Sequence, residues 1–278
     1  MQANDVNLTI VALRDVILHE EIEAQRVEML QARLGGDRVL KNPPIVAPVL
    51  DGAATRYIVL DGASRTSALR ALRVPDVLAQ IVDYHSPALK LEAWHHLLLD
   101  IAPARVRQIL AAASDIEIIK MDEARAQRAL DARDILAYVK FSDGELVGLR
   151  GQRSLAEQMR ALNEVTRAYE AQAELYRVPT TAFETHVQDP RRFAALVAFP
   201  KYQPDEIVNL ALNGARLPMG ITRHIIPGRA LRVNLPLDIL EQTKTLAEKN
   251  AWLDAWLVQK MRDHRVRFYQ EPVFLFDE

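Results

Sequence analysis

The sequence predicts a mixed α/β fold. Short apolar runs with the length and alternation typical of β-strands occur between segments whose apolar residues follow helical spacing. Segments that alternate in this way along a chain form the strands and helices of one layered unit. The chain has 278 residues, of which 49% are hydrophobic, and this is enough material for one large domain or two smaller ones.

The first 85 residues are predicted to form one compact α/β domain. Its predicted strands are 6–13, 43–50, 56–60 and 77–82, and its predicted helices are 19–34 and 66–73. Asp51-Gly52 separates the second and third strands, which predicts a β-hairpin. Gly35-Gly36 follows the first helix and is typical of a helix C-terminus.

Residues 86–278 are predicted to form a second, mainly helical domain. The predicted helices are 86–99, 103–113, 154–177, 194–199, 205–212 and 236–265, and the predicted strands are 116–121, a pair within 135–149, and 265–276. Residues 218–229 contain two prolines and two glycines and are predicted to be irregular. No flexible linker marks the boundary near residue 85, so this boundary depends on the change of pattern alone.

Composition and charge exclude several classes of protein. The 37 acidic and 35 basic residues give a net charge of −2, so the chain has no general attraction to nucleic acid or to an anionic membrane. The absence of cysteine excludes disulfides, thiolate zinc sites and cysteine nucleophiles. The N-terminus lacks the pattern of a secretory signal, and no run of about 20 apolar residues could span a bilayer. A cytoplasmic protein is therefore expected.

The turn after the strand at 56–60 has the features of an anion-binding site. Asp61 and Gly62 lead from this strand into a predicted helix that begins near Arg65. Backbone N–H groups at a helix N-terminus attract anions, Gly62 permits a close backbone approach, and Arg65 can add a charge-assisted contact. Asp61 can hold a metal ion or a substrate hydroxyl. The alternative is an ordinary turn in which Asp61 caps the helix, and the pattern favours neither.

Two adjacent acidic residues precede the first predicted helix, in the run Leu18-His19-Glu20-Glu21. Acidic residues are common at helix N-termini, where they interact favourably with the helix dipole. On that ground a purely structural role is favoured by about two to one. The functional alternative is that one of the two carboxylates acts as a general base.

A second candidate is the run Thr222-Arg223-His224, which lies in the predicted irregular segment. Loops bounded by glycine and proline often carry binding groups. Arg223 and Thr222 together could bind a carboxylate, and His224 could donate a further hydrogen bond. The alternative, a solvent-exposed turn without a binding role, is favoured equally by the pattern.

A third candidate is the run Trp94-His95-His96, which lies in a predicted helix. Trp94 is expected in the core. The two histidines are adjacent, so they point to different faces of a helix, whereas metal-binding pairs on helices are four residues apart. A zinc site at this position is therefore not expected.

Several of these segments resemble the ParB/sulfiredoxin-like nucleotide-binding fold over roughly residues 6–84. The resemblance lies in the strand that contains Ile45, in residues 57–60, and in the turn Asp61-Gly62-x-x-Arg65. Sulfiredoxins need a cysteine beside the arginine, and this chain has none. ParB partition proteins have paired charges in this turn and a following helix-turn-helix domain, and the chain shows neither clearly.

The closest resemblance within that superfamily is to the free serine kinases. Their turn reads Asp-Gly-x-x-Arg, and a glutamate after a Leu-His pair matches Glu20. A tryptophan after the α/β unit matches Trp94, and a downstream Thr-Arg-His segment matches residues 222–224. The resemblance implies transfer of a phosphoryl group from ATP or ADP to the hydroxyl of free L-serine, which gives O-phospho-L-serine.

The resemblance also implies a role for each matching residue. It makes Glu20 and Asp61 catalytic, with Glu21 as the fallback for Glu20, and Asp61 a ligand of Mg²⁺. It assigns nucleotide binding to Ile45, Gly62, Ala63, Ser64, Arg65 and Thr66. It assigns serine binding to Trp94, Thr222, Arg223 and His224. Some family members have larger residues at the positions of Ala63 and Ser64. The resemblance therefore leaves the preference for ATP or ADP open.

Two further functions stay open on the sequence. One is a ParB-like regulator that binds DNA under control of a nucleotide, for which Arg223, Arg229 and Arg232 form a local basic cluster. The other is a binding domain without catalysis, which the presence of both Glu20 and Asp61 disfavours. No membrane partner is expected, nucleic acid is not the expected partner, and the oligomeric state is left open.

Overall fold

The computed structural model describes residues 6–113, 115–151, 154–182 and 189–269. The chain divides into two compact units. The first unit consists of the residues up to Ile17, of Ile22–Leu89 and of the residues from Ile226 onward, and the second consists of Leu18–Glu21 and Lys90–Ile225. Residues 86–278 were predicted to form one domain. In the structure, the residues from Ile226 onward belong to the first unit instead.

The first unit begins with six strands, of which five form one sheet, and two helices. Their bounds are β1 Leu8–Ala12, β2 Val16–Leu18, α1 Ala24–Asp37, β3 Val39–Leu40, β4 Ile45–Asp51, β5 Ala54–Asp61, α2 Ala63–Ala71 and β6 Asp76–Ile81. The strand order is β1-β6-β4-β5-β2, with β4 parallel to β6 and the β1–β6 and β4–β5 pairs antiparallel. Asp51 pairs with Ala54, which confirms the predicted hairpin. Helices α1 and α2 pack against each other, and Leu69 of α2 is fully buried.

The second unit is built around a six-stranded antiparallel sheet. Its elements are β7 Lys90–Ala93, β8 His95–Leu99, α3 Pro103–Ala111, β9 Ile116–Lys120, α4 Glu123–Asp131, β10 Ala137–Phe141, β11 Leu146–Gly151, α5 Leu155–Glu170, β12 Glu174–Val178, β13 Phe193–Ala198, α6 Pro204–Leu212 and β14 Thr222–Ile225. The sheet order is β12-β8-β13-β10-β11-β9. Strands β14 and β7 form a separate antiparallel pair. Helices predicted at 103–113 and 205–212 are confirmed as α3 and α6.

The prediction of a mainly helical second domain is wrong. Residues 86–99 and 194–199, which were predicted as helices, contain the strands β7, β8 and β13, and the predicted helix 154–177 ends at Glu170 before β12. All five residues of β8 are buried, and β8 and β13 lie inside the sheet. A strand that is buried on both faces gives a continuous apolar run without alternation, and such a run cannot be told from a buried helix by its period.

The C-terminal segment packs on the first unit through β15 Leu235–Pro236, α7 Leu237–Glu241 and α8 Leu246–Arg262. The side chain of Asn250 donates to the carbonyl oxygen of Ile10 in β1 and accepts from the N–H group of the same residue, at 2.9 and 2.8 Å. Lys249 is almost completely buried and pairs with Asp76 of β6. These contacts bind α8 to the first sheet.

The single helix predicted at 236–265 is two helices, because a new N-terminus forms at Thr245. The N–H group of Thr245 donates to Glu248 Oε2 at 2.8 Å, and the N–H group of Glu248 donates back to the Thr245 hydroxyl. This reciprocal pair is a capping box. Residues 265–269 have no regular structure, and the rest of the strand predicted at 265–276 lies outside the described residues. In the described part of the chain, no helix is long and apolar enough to cross a membrane.

Candidate functional site

The turn after β5 is held by an ion pair between its own residues. Arg65 Nη2 donates to Asp61 Oδ2 at 2.7 Å, and Arg65 Nη1 donates to the carbonyl oxygen of Asn42 at 3.2 Å. Gly62 has a φ of +94°, and a Cβ at this position would lie 3.0 Å from the Cα of Pro44. The turn therefore requires glycine both for its backbone conformation and for the close approach of the neighbouring strand.

Asp61 does not cap α2, which removes the structural alternative for this residue. Gly62 occupies the N-cap position, no side chain accepts a capping hydrogen bond there, and no acidic residue lies in the first helical turn. The Asp61 carboxylate is instead directed at Arg65. Backbone N–H groups at this N-terminus are consequently left without a side-chain acceptor, which is the arrangement that binds phosphate groups.

The other residues assigned to the nucleotide lie in or beside this turn. Ile45 pairs directly with Asp61 across β4 and β5, and its side chain is buried. Ala63 and Ser64 form the first turn of α2 and are half-buried. Thr66 is fully buried, and its hydroxyl donates to the Gly62 carbonyl oxygen at 3.1 Å. The Thr66 hydroxyl therefore closes the turn.

A second guanidinium lies beside Asp61, and the sequence analysis did not place it there. Arg229 Nη1 is 3.7 Å from Asp61 Oδ2. The segment that carries Arg229 is bonded on both sides to Gln80 of β6, whose amide donates to the Gly228 carbonyl oxygen and accepts from the Ala230 N–H group. Gln80 is buried. A glutamine among the apolar residues of 77–82 was the one signal that could have indicated this anchor.

Asp61 fits a magnesium ion of the kind that nucleotides bring with them. Both guanidinium contacts involve Oδ2 of the carboxylate, and Oδ1 takes part in neither. Among the described residues, no cluster of three or more histidine, aspartate or glutamate side chains could hold a metal by itself. Protein-bound Mg²⁺ commonly has one or two carboxylate ligands and takes its other ligands from water and substrate phosphates. A single carboxylate beside a phosphate-binding turn matches that pattern.

Glu20 lies in the second unit, where neutral donors hold its carboxylate. Oε2 accepts from the Gly220 N–H group at 3.0 Å, and Oε1 accepts from the N–H group and the hydroxyl of Thr222, the former at 2.8 Å. The backbone of this segment is bonded on both sides to Leu217. The Glu20 side chain is 13% exposed. Both oxygens are thus fixed in position without a cationic partner in these contacts.

Glu20 is not a helix N-terminal residue, contrary to the structural alternative. The helix predicted to begin at residue 19 begins at Ala24 as α1. The neighbouring acid, Glu21, is 3.3 Å from a guanidinium nitrogen of Arg167 and 3.9 Å from one of Arg216. Glu21 is therefore an ion-pair residue, whereas the Glu20 carboxylate is held by backbone N–H groups and a hydroxyl.

His19 extends the hydrogen-bonded chain behind Glu20. Its Nε2 atom is 2.9 Å from the Thr222 hydroxyl oxygen. This hydroxyl has one proton, which it donates to Glu20, so His19 Nε2 must carry the proton of the other bond. The His19 ring is buried and packs edge-on against the ring of His224 at 5.4 Å. His19 therefore donates to Thr222, and Thr222 donates to Glu20.

The structure divides the predicted Thr222-Arg223-His224 group between two faces of β14. The side chains of Thr222 and His224 both contact the side chain of His19. The guanidinium of Arg223 instead lies 4.5 Å from the centre of the Trp94 ring. Successive side chains of a strand point to opposite faces, which explains the division. Trp94 is half-buried and follows β7, the partner of β14.

The two histidines after Trp94 have structural partners. His95 Nδ1 accepts from the Phe199 N–H group at 3.1 Å, and His96 Nδ1 is 2.8 Å from the Tyr169 hydroxyl. Burial lowers the pKa of His95 to about 4, with Lys201 adding to the effect. Burial likewise lowers the pKa of His96 to about 3. Both rings are therefore neutral near pH 7 and form part of the sheet interior.

The chain is similar over nearly its whole length to proteins named as serine kinases. No protein-family model matches it. It is 24% identical over 276 residues to the ATP-dependent L-serine kinase SbnI of Staphylococcus aureus, covering 98% of each chain. It is also 24% identical over 242 residues to an ATP-dependent L-serine kinase of Staphylothermus marinus, covering 85% of this chain and 92% of the relative.

Solved structures show the same fold. A free serine kinase in complex with AMP superposes with a TM-score of 0.73 at 18% identity, covering 84% of this chain and 94% of that one. A C-terminally truncated SbnI from Staphylococcus aureus superposes with a TM-score of 0.69 at 20% identity, covering 92% and 97%. This chain therefore has a mixed α/β fold like that of the free serine kinase structures.

Proposed function

We propose that this chain is an ATP-dependent kinase that phosphorylates the hydroxyl of free L-serine and forms O-phospho-L-serine. The observation that carries the proposal is the Glu20 carboxylate, which two N–H groups and one hydroxyl hold in a fixed orientation. The relatives named ATP-dependent L-serine kinase support the same reaction over nearly the whole chain. We further propose that the first unit contains a ParB/sulfiredoxin-like nucleotide-binding domain.

In this proposal the turn at Asp61 binds the nucleotide. The N–H groups at the N-terminus of α2 and the Arg65 guanidinium neutralise phosphate charge, and Arg229 adds a second guanidinium beside the same turn. Asp61 would hold Mg²⁺, which when bound supplies charge neutralisation for the phosphate oxygens. Ile45 lines the turn from β4.

Glu20 acts as the general base of the reaction. It accepts the proton of the serine hydroxyl while the hydroxyl oxygen forms its bond to the terminal phosphorus of ATP. The bond between that phosphorus and the bridging oxygen breaks, and ADP leaves. A positioned base contributes roughly 10²–10⁴ to such a rate. Gly220 and Thr222 hold the base in orientation, and His224 and Trp94 are proposed to contact serine.

The experiment that tests the function is a substrate screen with the full chain. The protein is incubated with Mg²⁺ and either ATP or ADP, together with each free amino acid in turn, and phosphorylated products are measured by mass spectrometry. We expect O-phosphoserine from ATP and L-serine, and no comparable product from other amino acids. A screen without phosphoserine would overturn the proposal, and equal turnover with ADP would remove the assignment to ATP.

No observation of this structure favours the DNA-binding alternative. Of the three arginines that suggested a basic cluster, Arg229 lies beside Asp61 and Arg223 stacks on Trp94. The backbone N–H group of Arg232 donates a hydrogen bond to the side-chain oxygen of Asn42. Two of the three guanidinium groups are therefore engaged within their own units.

A further inference from the structure

Arg177 is an exposed cation of the second unit that has no counter-ion among the described residues. It lies on β12, at the edge of the six-stranded sheet, and pairs with His96 of β8. Within residues 6–113, 115–151, 154–182 and 189–269, no side chain or carbonyl group forms an ion pair or hydrogen bond with its guanidinium. Other arginines of the second unit differ, since Arg167 and Arg216 both contact Glu21.

The guanidinium of Arg177 lies directly against Gly220. A Cβ placed on Gly220 would be 2.3 Å from Arg177 Nε and 2.8 Å from Nη2, so any larger residue would have to displace the guanidinium. Gly220 also has a φ of +66°, a conformation that favours glycine. The space occupied by the cation therefore exists because position 220 has no side chain.

The same glycine holds the proposed base. Its N–H group donates to Glu20 Oε2 at 3.0 Å, so a single residue bonds the Glu20 carboxylate and leaves open the space that the Arg177 guanidinium occupies. A cation that has no counter-ion among the described residues, and that lies against the glycine whose N–H group holds the base, is suited to bind an anionic group of the substrate. Guanidinium presents a planar fork of donors that matches a carboxylate.

We propose that Arg177 binds the carboxylate of the amino acid substrate, an inference that rests on the proposed function. Only Cβ and Cα separate the hydroxyl oxygen of serine from its carboxylate, so a receptor for the carboxylate must lie close to the base. The sequence pattern predicted that Arg223 has this task. The guanidinium of Arg223 instead stacks on Trp94, on the face of β14 opposite to Thr222.

The test compares Arg177→Ala and Arg177→Lys with the unaltered protein, using L-serine and the uncharged analogue L-serinamide. We expect Arg177→Ala to raise the KM for L-serine by about ten- to a hundredfold, as expected for loss of hydrogen bonds to a charged group. The KM for ATP and the kinetics with L-serinamide should stay unchanged. Arg177→Lys keeps the charge but loses the fork, so it should give an intermediate KM. Arg150→Ala, which removes a surface pair with Glu117, is the matched control.

The outcomes separate this inference from the proposed function. If the unaltered protein forms phosphoserine and Arg177→Ala leaves the KM for L-serine unchanged, or raises the KM for L-serinamide equally, the inference fails and the function stands. If the unaltered protein forms no phosphoserine, the function fails, and calorimetric titration with L-serine decides the inference. Binding that Arg177→Ala weakens would support it. Equal binding by both proteins, or no binding at all, would overturn it.

Discussion

Two carboxylates, one in each unit, are held by different kinds of donor. Asp61 contacts two guanidinium groups, those of Arg65 and Arg229, and its side chain is 37% exposed. Glu20 accepts from backbone N–H groups and a hydroxyl, and its side chain is 13% exposed. Charged donors neutralise a carboxylate, whereas neutral donors orient it and leave its charge intact.

This difference suits the two tasks proposed for the two residues. An aspartate whose partners are guanidinium groups can exchange them when phosphate and metal ions arrive, because the guanidinium groups can turn to the phosphate. A general base must instead keep its charge and its direction while a proton is transferred. The donors around each carboxylate therefore indicate its task more directly than the acidic side chain alone does.

The largest expected effect follows from removal of the oriented base. Glu20→Gln keeps the shape of the side chain but cannot accept the proton, so we expect kcat for phosphoserine formation to fall by about a hundredfold or more. Nucleotide affinity, measured by calorimetry with ADP, should not change. Glu21→Gln is the matched control and should keep kcat within about twofold, since its ion pairs are exposed. A Glu20→Gln protein with more than about a tenth of the activity would contradict the base assignment.

A smaller effect is expected from the charged donors around Asp61. Arg65→Ala removes a guanidinium from the phosphate-binding turn, so ATP should bind about ten- to a hundredfold more weakly. Arg56→Ala, which breaks surface pairs with Asp15 and Asp51 in the same unit, is the control. Calorimetric titration measures both variants. Equal ATP affinity in Arg65→Ala and the unaltered protein would remove Arg65 from the nucleotide site.

His19 is expected to have a moderate effect, because it acts on Glu20 through Thr222 as a positioning residue. His19→Phe removes the donor to the Thr222 hydroxyl, and we expect kcat to fall by about three- to tenfold with the KM for ATP unchanged. His19→Gln can still donate from its amide and should recover part of the loss. Steady-state kinetics with varied ATP and varied serine separate these quantities. If His19→Phe lowers the ATP affinity and leaves kcat unchanged, His19 does not act on Glu20 through Thr222.

The smallest expected effect is the response to salt. Exposed charges are screened by salt, whereas hydrogen bonds from buried backbone groups are screened much less. The KM for ATP should therefore rise by about two- to fivefold when the salt concentration is raised well above the physiological level, while kcat at saturating ATP stays nearly constant. Initial rates in potassium chloride measure this response. If kcat falls with salt as steeply as the ATP affinity does, the contacts of Asp61 and those of Glu20 are equally sensitive to salt, which would contradict the comparison.

Local patterns predicted those parts of the fold that depend on neighbouring residues. The hairpin at Asp51-Gly52 and the helices α3 and α6 are confirmed, because turn residues and helical spacing specify them over short distances. The strands β8 and β13 were missed, since each is buried on both faces and shows no alternation. Their identity as strands depends on pairing partners that are distant in the chain.

The candidate residues show the same limit. Glu20 and Asp61 could be selected from their sequence context, but the separation of Thr222 from Arg223 required the strand pairing of β14 with β7. The anchor from Gln80 to the segment of Arg229 joins residues about 150 positions apart. No local pattern reports a contact of that kind.

The sequence by itself determined that this chain has an α/β unit with a glycine turn at Asp61 and two adjacent acids at 20 and 21. Residue type and short spacing are enough for these conclusions, since backbone conformation and charge are local properties. Only the tertiary structure decided which of the two acids accepts hydrogen bonds from backbone N–H groups, and that Arg177 lies against Gly220. Hydrogen bonds and burial at these positions join segments that are far apart in the chain, and only folding brings their atoms within bonding distance.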